Sequence, residues 1–251
     1  MAPFNQTLAA YSLLSDQRLA EAWTWRQDGP RHAVREALFR SLDEEHAAAA
    51  VALPRSEAVA ILSLAQRAFG DLRGLLLGVE ETLFDAVPAP GEWAIRQTMA
   101  HMMVTELRYE AQIEWARRRT DDEPVRIPEA KLPAAPDSIG SLLDLLSRLA
   151  QMREETDRRQ ANITSDEMRL PTVWGGFVVD VRFRLLRLGG HLIEHTIQCE
   201  KTLALLAGYQ ESEARRIVRQ ISSARGLHEH ISAGEVLTRL DETHLERARA
   251  I

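Results

Sequence analysis

The chain has 251 residues, and its 31 lysines and arginines against 37 aspartates and glutamates give a net charge of −6. The basic residues are scattered rather than clustered, so we expect no nucleic-acid partner. No apolar run approaches the ~20 residues of a membrane span, and the first residues lack the basic and apolar regions of a signal peptide. A single cysteine excludes an internal disulfide. We therefore expect a soluble, cytoplasmic protein without membrane contacts.

Apolar residues recur every three to four positions along nearly the whole chain, while glycine and proline are confined to a few places. This pattern predicts an all-α fold. A first helix is predicted over about residues 5–26, ended by Gly29 and Pro30, and a second over about residues 32–53. Together they form an N-terminal helical extension over residues 1–54.

A four-helix bundle is predicted over residues 55–209, followed by a C-terminal helical extension packed on it over residues 210–251. The first bundle helix begins at Ser56 and carries an apolar seam as far as Leu83. Three glycines spaced by four in this helix would let a neighbouring backbone approach closely, namely Gly70, Gly74 and Gly78. The remaining helices are predicted over residues 93–119, 138–162 and 181–206 in the bundle, and over residues 212–225 and 233–248 after it.

Two irregular segments interrupt the bundle. A proline-rich connection follows the helix over residues 93–119, and a loop or short hairpin is predicted over residues 170–179. Four charged residues of the helix over residues 138–162 are expected to lie largely outside the bundle, namely Arg153, Glu154, Asp157 and Arg158.

The helix predicted over residues 181–206 carries two histidines four residues apart, His191 and His195. This spacing stacks both imidazoles on one face, and that face coincides with the apolar stripe of the helix. Burying two histidines costs free energy unless their ring nitrogens have partners, and one shared partner would serve both. Their spacing suits two ligands of one metal ion. The alternative is that both are core histidines bonded to other polar groups.

A third ligand is expected from another bundle helix, and His101 is the one histidine in the helix over residues 93–119. The charged side of this helix, which includes Glu110 and Arg117, is expected to face outwards. The opposite side carries a polar strip where an ordinary bundle has leucines: Ala94, Thr98, His101, Thr105, Arg108 and Gln112. Buried polar side chains need partners, and a metal with bound water and substrate would supply them.

Three neutral imidazoles leave open coordination positions on a divalent cation, as in catalytic rather than structural zinc sites. We predict zinc, with nickel, iron and manganese as alternatives, because three nitrogen ligands alone do not select the metal. The remaining histidines are expected to have no functional role, since three lie in charge-rich, surface-like contexts and two in a turn between the terminal helices. They are His32, His46 and His244, and His228 and His230.

Two sequence blocks resemble those of DinB-like proteins. The first has Trp93 just before a helix, then His101 and Glu106, and the second is the run over residues 180–188 that precedes the histidine pair. The resemblance covers about residues 56–208 and implies a four-helix up-down-down-up bundle with one divalent metal. The implied ligands are His101, His191 and His195.

The resemblance also implies a function. Related proteins include transferases and isomerases that use mycothiol or bacillithiol, so we expect a metal-dependent thiol S-transferase with a small-molecule substrate and a low-molecular-weight thiol as cosubstrate. Substrate binding is expected at Thr105, Arg108 and Trp174. Arg108, together with Arg182 or Arg184, is a candidate for holding a carboxylate of the thiol or substrate. The alternative function is a non-catalytic metal-binding protein that is stress-associated or binds a ligand. For the terminal helices we consider three alternatives, namely that they extend the bundle, cover the site or form a homodimer interface.

Overall fold

A computed structural model describes residues 3–25, 29 and 31–251. Its N-terminal elements are α1 (Pro3–Ser12), α2 (Asp16–Ala20), β1 (Ala22–Trp23), β2 (His32–Ala33) and α3 (Val34–Val51), with β1 and β2 paired antiparallel. The single helix predicted over residues 5–26 is therefore wrong. The Ser15 side chain accepts a hydrogen bond from the Arg18 amide at 3.1 Å and so caps a new helix. The predicted helix end at Arg26 and the stop at Pro30 lie outside the described residues.

The four long helices of the predicted bundle are present. The elements are α4 (Glu57–Leu76), the short α5 (Glu81–Phe84), α6 (Ile95–Arg118), α7 (Leu142–Gln160) and α8 (Val181–Leu205). Helix α4 ends earlier than predicted, because the chain leaves the helix at Leu77, whose ψ is 129°, and Gly78 follows with a φ of +78°.

Contacts between helices fix their directions. Along α6 and α7 the contacts run in the same order, Glu106 with Arg153 and then Glu110 with Arg159, so these helices are parallel. Contacts of α4 with α8 also run in the same order, Glu57 with Arg182 and then Ala65 with Gly189. Contacts run in opposite orders between α6 and α8, where His101 meets His195 and Tyr109 meets Arg184. They also run in opposite orders between α4 and α7, where Gln66 meets Asp157, and Arg55 just before α4 meets Asn162 just after α7. The bundle is therefore up-down-down-up, and the long proline-rich connection exists because two consecutive parallel helices require a crossover.

A hairpin sets the start of α8. Strands β3 (Pro171–Trp174) and β4 (Phe177–Asp180) pair antiparallel around Gly175 and Gly176, whose φ values of +56° and +96° suit a tight two-residue turn. Asp180 then caps α8 by accepting a hydrogen bond from the Phe183 amide at 2.7 Å. The segment predicted as a loop or short hairpin is thus a hairpin.

The C-terminal helices are α9 (Glu213–Gly226) and α10 (Gly234–Ala250). Helix α9 lies against α4 at two of the three glycines. A Cβ built on Gly70 would lie 2.3 Å from the carbonyl oxygen of Ser222, and one on Gly74 would lie 2.6 Å from Cα of Arg219. The predicted close backbone approach is confirmed at these two positions, whereas Gly78 lies beyond the helix.

Replacing Gly70 with alanine is expected to lower the free energy of unfolding by about 1–3 kcal/mol, because the new methyl group overlaps the backbone of α9. Gly234 of α10 is the matched control, since a Cβ there would meet nothing within 4 Å. Alanine at Gly234 should be neutral or stabilising, by up to about 1 kcal/mol. Urea denaturation of the two variants measures both effects. A Gly70→Ala protein as stable as the parent would contradict the tight packing of α4 on α9.

Several charged residues that were expected outside the bundle are buried. Arg153 is 0 % exposed and pairs with Glu106 of α6 and Asp157 of its own helix. The expectation is therefore wrong for Arg153 and Asp157, and also for Glu110, which is buried and pairs with Arg159 at 2.9 Å. Arg153, Asp157 and Glu110 each have a partner of opposite sign, which is the usual condition for burying a charge.

Two of the remaining histidines are also buried. His244 is not at the surface, and its Nε2 lies 3.0 Å from Glu44. His228 follows α9 as predicted, but it is fully buried, with its Nε2 2.7 Å from Glu45. These contacts, together with Arg225 bound to Glu45 at 2.9 Å, tie α9 and α10 to α3.

The largest apolar core draws side chains from the terminal helices α1, α3 and α9 as well as from the bundle helices α4, α6, α7 and α8. The terminal helices therefore share apolar packing with the bundle. Among the residues that the structure describes, no helix combines the length and the apolar character needed to cross a membrane.

Candidate metal centre

Three histidine side chains meet between α6 and α8. The ligating nitrogens of His101, His191 and His195 all lie within 4.8 Å of one another. The Nε2 atom of His191 is 3.2 Å from that of His101 and 3.0 Å from that of His195. Around a tetrahedral zinc ion with Zn–N bonds of about 2.0–2.1 Å, two nitrogen ligands stand about 3.3 Å apart. The donor set and its spacing therefore fit a single divalent ion.

The local sequence explains this convergence. His191 and His195 occupy successive turns of one face of α8, as their four-residue spacing requires. Gly189 beside them lets α4 pack closely, since a Cβ built there would lie 3.3 Å from Cα of Ala65. Helix α6 then brings in His101, whose ring centroid is 5.1 Å from that of His191 and 4.7 Å from that of His195.

Burial favours the neutral form of the His101 and His191 imidazoles. His191 and His195 are each 8 % exposed, and His101 is half-buried. Desolvation, reinforced by the two neighbouring imidazoles, lowers the pKa of His191 to about 3. Desolvation and then His195 also lower the pKa of His101. Because a neutral imidazole offers a nitrogen lone pair, these groups are in a form able to bind a metal at neutral pH.

Two neighbouring side chains orient the rings. The Nδ1–H of His195 donates to Oε1 of Gln198 at 2.7 Å, which leaves the Nε2 lone pair facing the cluster. The Trp93 ring packs edge-on against His101, with their centroids 5.4 Å apart. Sequence reasoning missed Gln198, although an amide three residues after a candidate ligand, on the same helix face, is a signal that points to it.

A family model described as the DinB superfamily matches residues 64–199, which is more than half of the chain and includes all three histidines. The chain belongs to the DinB superfamily. A comparison with curated proteins finds no match. The resemblance inferred from the two DinB-like sequence blocks is thus confirmed, and with it the all-α bundle.

The residues predicted to bind substrate in this DinB bundle lie in different environments. Thr105 is buried one turn beyond His101 on α6, whereas Arg108 is exposed. Trp174 donates from its Nε1 to the Tyr109 hydroxyl at 3.2 Å, and the Tyr109 ring lies 5.7 Å from that of His191. Trp174 is therefore linked to the histidines through Tyr109. Substrate binding at Thr105, Arg108 and Trp174 stays a prediction.

Other reactive groups near the three histidines form ion pairs or are enclosed in the core. Glu194 is exposed and forms an ion pair with Arg187 at 3.0 Å, and Glu106 forms an ion pair with the buried Arg153. Cys199 is 0 % exposed within the apolar core, and desolvation raises the pKa of its thiol to about 12. Cys199 is therefore a small core residue.

Proposed function

We propose that this DinB protein is a metal-dependent thiol S-transferase, in which the three histidines hold one divalent cation and a low-molecular-weight thiol is the cosubstrate. The proposal is carried by the convergence of three imidazole nitrogens. Within the described part of the chain, this ligand group contains neither a carboxylate nor a thiolate. A tetrahedral ion held by three protein ligands keeps one position for an outside molecule. Zinc is the expected metal, with nickel, iron and manganese as alternatives.

The reactive thiol of this proposal comes from a second molecule. The chain has one cysteine, and Cys199 is enclosed and held as a thiol by its raised pKa, so it is neither accessible nor nucleophilic. A divalent cation, when bound, supplies a positive charge that lowers the pKa of a thiol in contact with it. We place the protein in the cytoplasm, where such thiols are kept reduced. A homodimer remains a prediction.

The side chains around the histidines have roles that follow from their contacts. His101 is the most exposed of the three, so we expect ligands to approach from its side, past the partly exposed Trp93. The Tyr109 hydroxyl accepts a hydrogen bond from Trp174, and its own proton is available to a ligand beside His191. Arg108 is exposed and can bind a substrate carboxylate.

The test is conjugation of a thiol to a model electrophile. Untagged, zinc-loaded protein is incubated with mycothiol, bacillithiol or glutathione and 1-chloro-2,4-dinitrobenzene. The thiol sulfur forms a bond to the ring carbon, chloride leaves, and the thiol proton goes to solvent. We expect conjugate formation that is lost in His101→Ala protein and in metal-free protein. Absence of conjugate with all three thiols would overturn the transferase proposal.

A non-catalytic metal-binding role is the second candidate. It is favoured by the low exposure of two of the three ligands, since His191 and His195 are each 8 % exposed. Stoichiometric metal without conjugation of any of the three thiols is the result expected for this role.

A further inference from the structure

Arg184 of α8 is a buried arginine without a counter-ion. It is 3 % exposed, and within the described part of the chain no carboxylate lies in ion-pair distance of its guanidinium. Its Nη2 donates to the carbonyl oxygen of Val173, while its Nε has no hydrogen-bond partner. The other buried arginines among the described residues all pair with a carboxylate, namely Arg73, Arg153, Arg225 and Arg247.

The surroundings of Arg184 add positive charge rather than compensating it. Burial lowers the pKa of Arg184 to about 10, and repulsion from Arg126 and Arg187 acts in the same direction. The Tyr109 ring lies 4.8 Å from the Arg184 Cζ, which is a favourable contact but not a counter-charge. A buried guanidinium beside further cations is costly unless an anion completes the arrangement.

Arg184 and Arg126 line a cavity of about 380 Å³ between α6, the β3–β4 hairpin and the start of α8. The Thr172 side chain lines the same cavity and offers a hydroxyl. The Gln112 side-chain amide also lines it and offers N–H donors. A Cβ built on Gly175 would meet nothing within 4 Å, so the turn leaves open space at this cavity.

We propose that this cavity binds the oxyanion group, carboxylate or phosphate, of a small ligand, with Arg184 and Arg126 as its cationic contacts. Guanidinium groups bind both types of oxyanion through charge-assisted hydrogen bonds, and the cavity volume lies in the range of small-molecule sites. None of the three histidines lines this cavity, and Tyr109 stands between His191 and Arg184. The site is thus separate from the metal centre and does not depend on the thiol-transferase proposal.

The test is isothermal titration calorimetry with two probes, inorganic phosphate and malonate, at low ionic strength. It is carried out in the His101→Ala background so that a metal ion does not itself bind the anion. We expect binding that Arg184→Gln weakens by at least about tenfold, because a charge-assisted hydrogen bond is removed. Tighter binding of phosphate identifies a phosphate ligand, and tighter binding of malonate identifies a carboxylate ligand.

Arg158→Gln is the matched control, because Arg158 is an arginine of α7 that is bound to Glu155 at 2.6 Å and does not line the cavity. This variant should bind both probes like its parent. If Arg184→Gln loses its helix content, the Arg126→Gln variant tests the site instead, because Arg126 is exposed and its replacement leaves the core intact. Weaker binding in Arg126→Gln supports the site. Unchanged binding in folded Arg184→Gln protein, or in Arg126→Gln protein where Arg184→Gln does not fold, overturns it, as does no binding of either probe to the parent.

Discussion

Protein in which His101 or His191 is replaced by alanine is expected to retain no stoichiometric divalent metal while keeping most of its helix content. Two imidazoles supply only half of a tetrahedral shell, so the remaining pair should not hold the ion through purification. Helix content should persist because the apolar seams of α6 and α8 are untouched. Elemental analysis of untagged protein measures the metal, and far-ultraviolet circular dichroism measures the helix.

His46→Ala is the matched control, because His46 is exposed on α3 and should leave the metal content unchanged. The Gln198→Leu variant is expected to bind the metal more weakly than the parent without losing the site. It removes the hydrogen bond that orients His195 but keeps all three ligands, so metal affinity should fall by about 10–100-fold. Full metal content in both His101→Ala and His191→Ala would rule out the three-histidine centre.

The histidine centre could be predicted because local sequence carries most of it. The four-residue spacing of His191 and His195 needs only a helix, and α8 starts where predicted because Asp180 caps it. The limits of α6 lie within two residues of the prediction. Arg108 is exposed, although helical periodicity placed it on the polar strip that was expected to face into the bundle. Glu110, in contrast, is buried although it was assigned outwards, because α6 is covered by α7 as well as by α8.

The buried charges could not be predicted from local pattern. Arg153 is charged and was assigned outwards, because its counter-ion Glu106 lies on a different helix and far away in sequence. The same holds for His244, which is buried against Glu44 at the other end of the chain. Helical periodicity reports which residues share a face, but it does not report which distant residues neutralise each other. The helix cap at Ser15 was also not predicted, but in this case the sequence signal is local, unlike that of the buried ion pairs.

Replacing Arg153 with methionine is expected to lower the free energy of unfolding by about 3–5 kcal/mol, because it leaves two buried carboxylates without their cation. Desolvation already raises the pKa of Asp157, and Arg153 opposes that rise. Without the guanidinium, the charges of Asp157 and Glu106 repel each other, and the largest interaction that opposes the raised pKa of Asp157 is lost. Urea denaturation followed by circular dichroism measures the loss.

Arg158→Met is the matched control, since Arg158 lies on the same helix and also pairs with a carboxylate, Glu155, but is exposed. This variant should unfold at nearly the parent urea concentration, because water screens the pair that it breaks. Adding Glu106→Gln and Asp157→Asn to Arg153→Met removes the stranded charges and should recover part of the lost stability. If Arg153→Met were no more destabilising than Arg158→Met, burial of the triad would contribute nothing to holding α6 against α7. Recovery in the triple variant would instead assign the loss to uncompensated charge, because the methionine and any packing defect that it causes are still present.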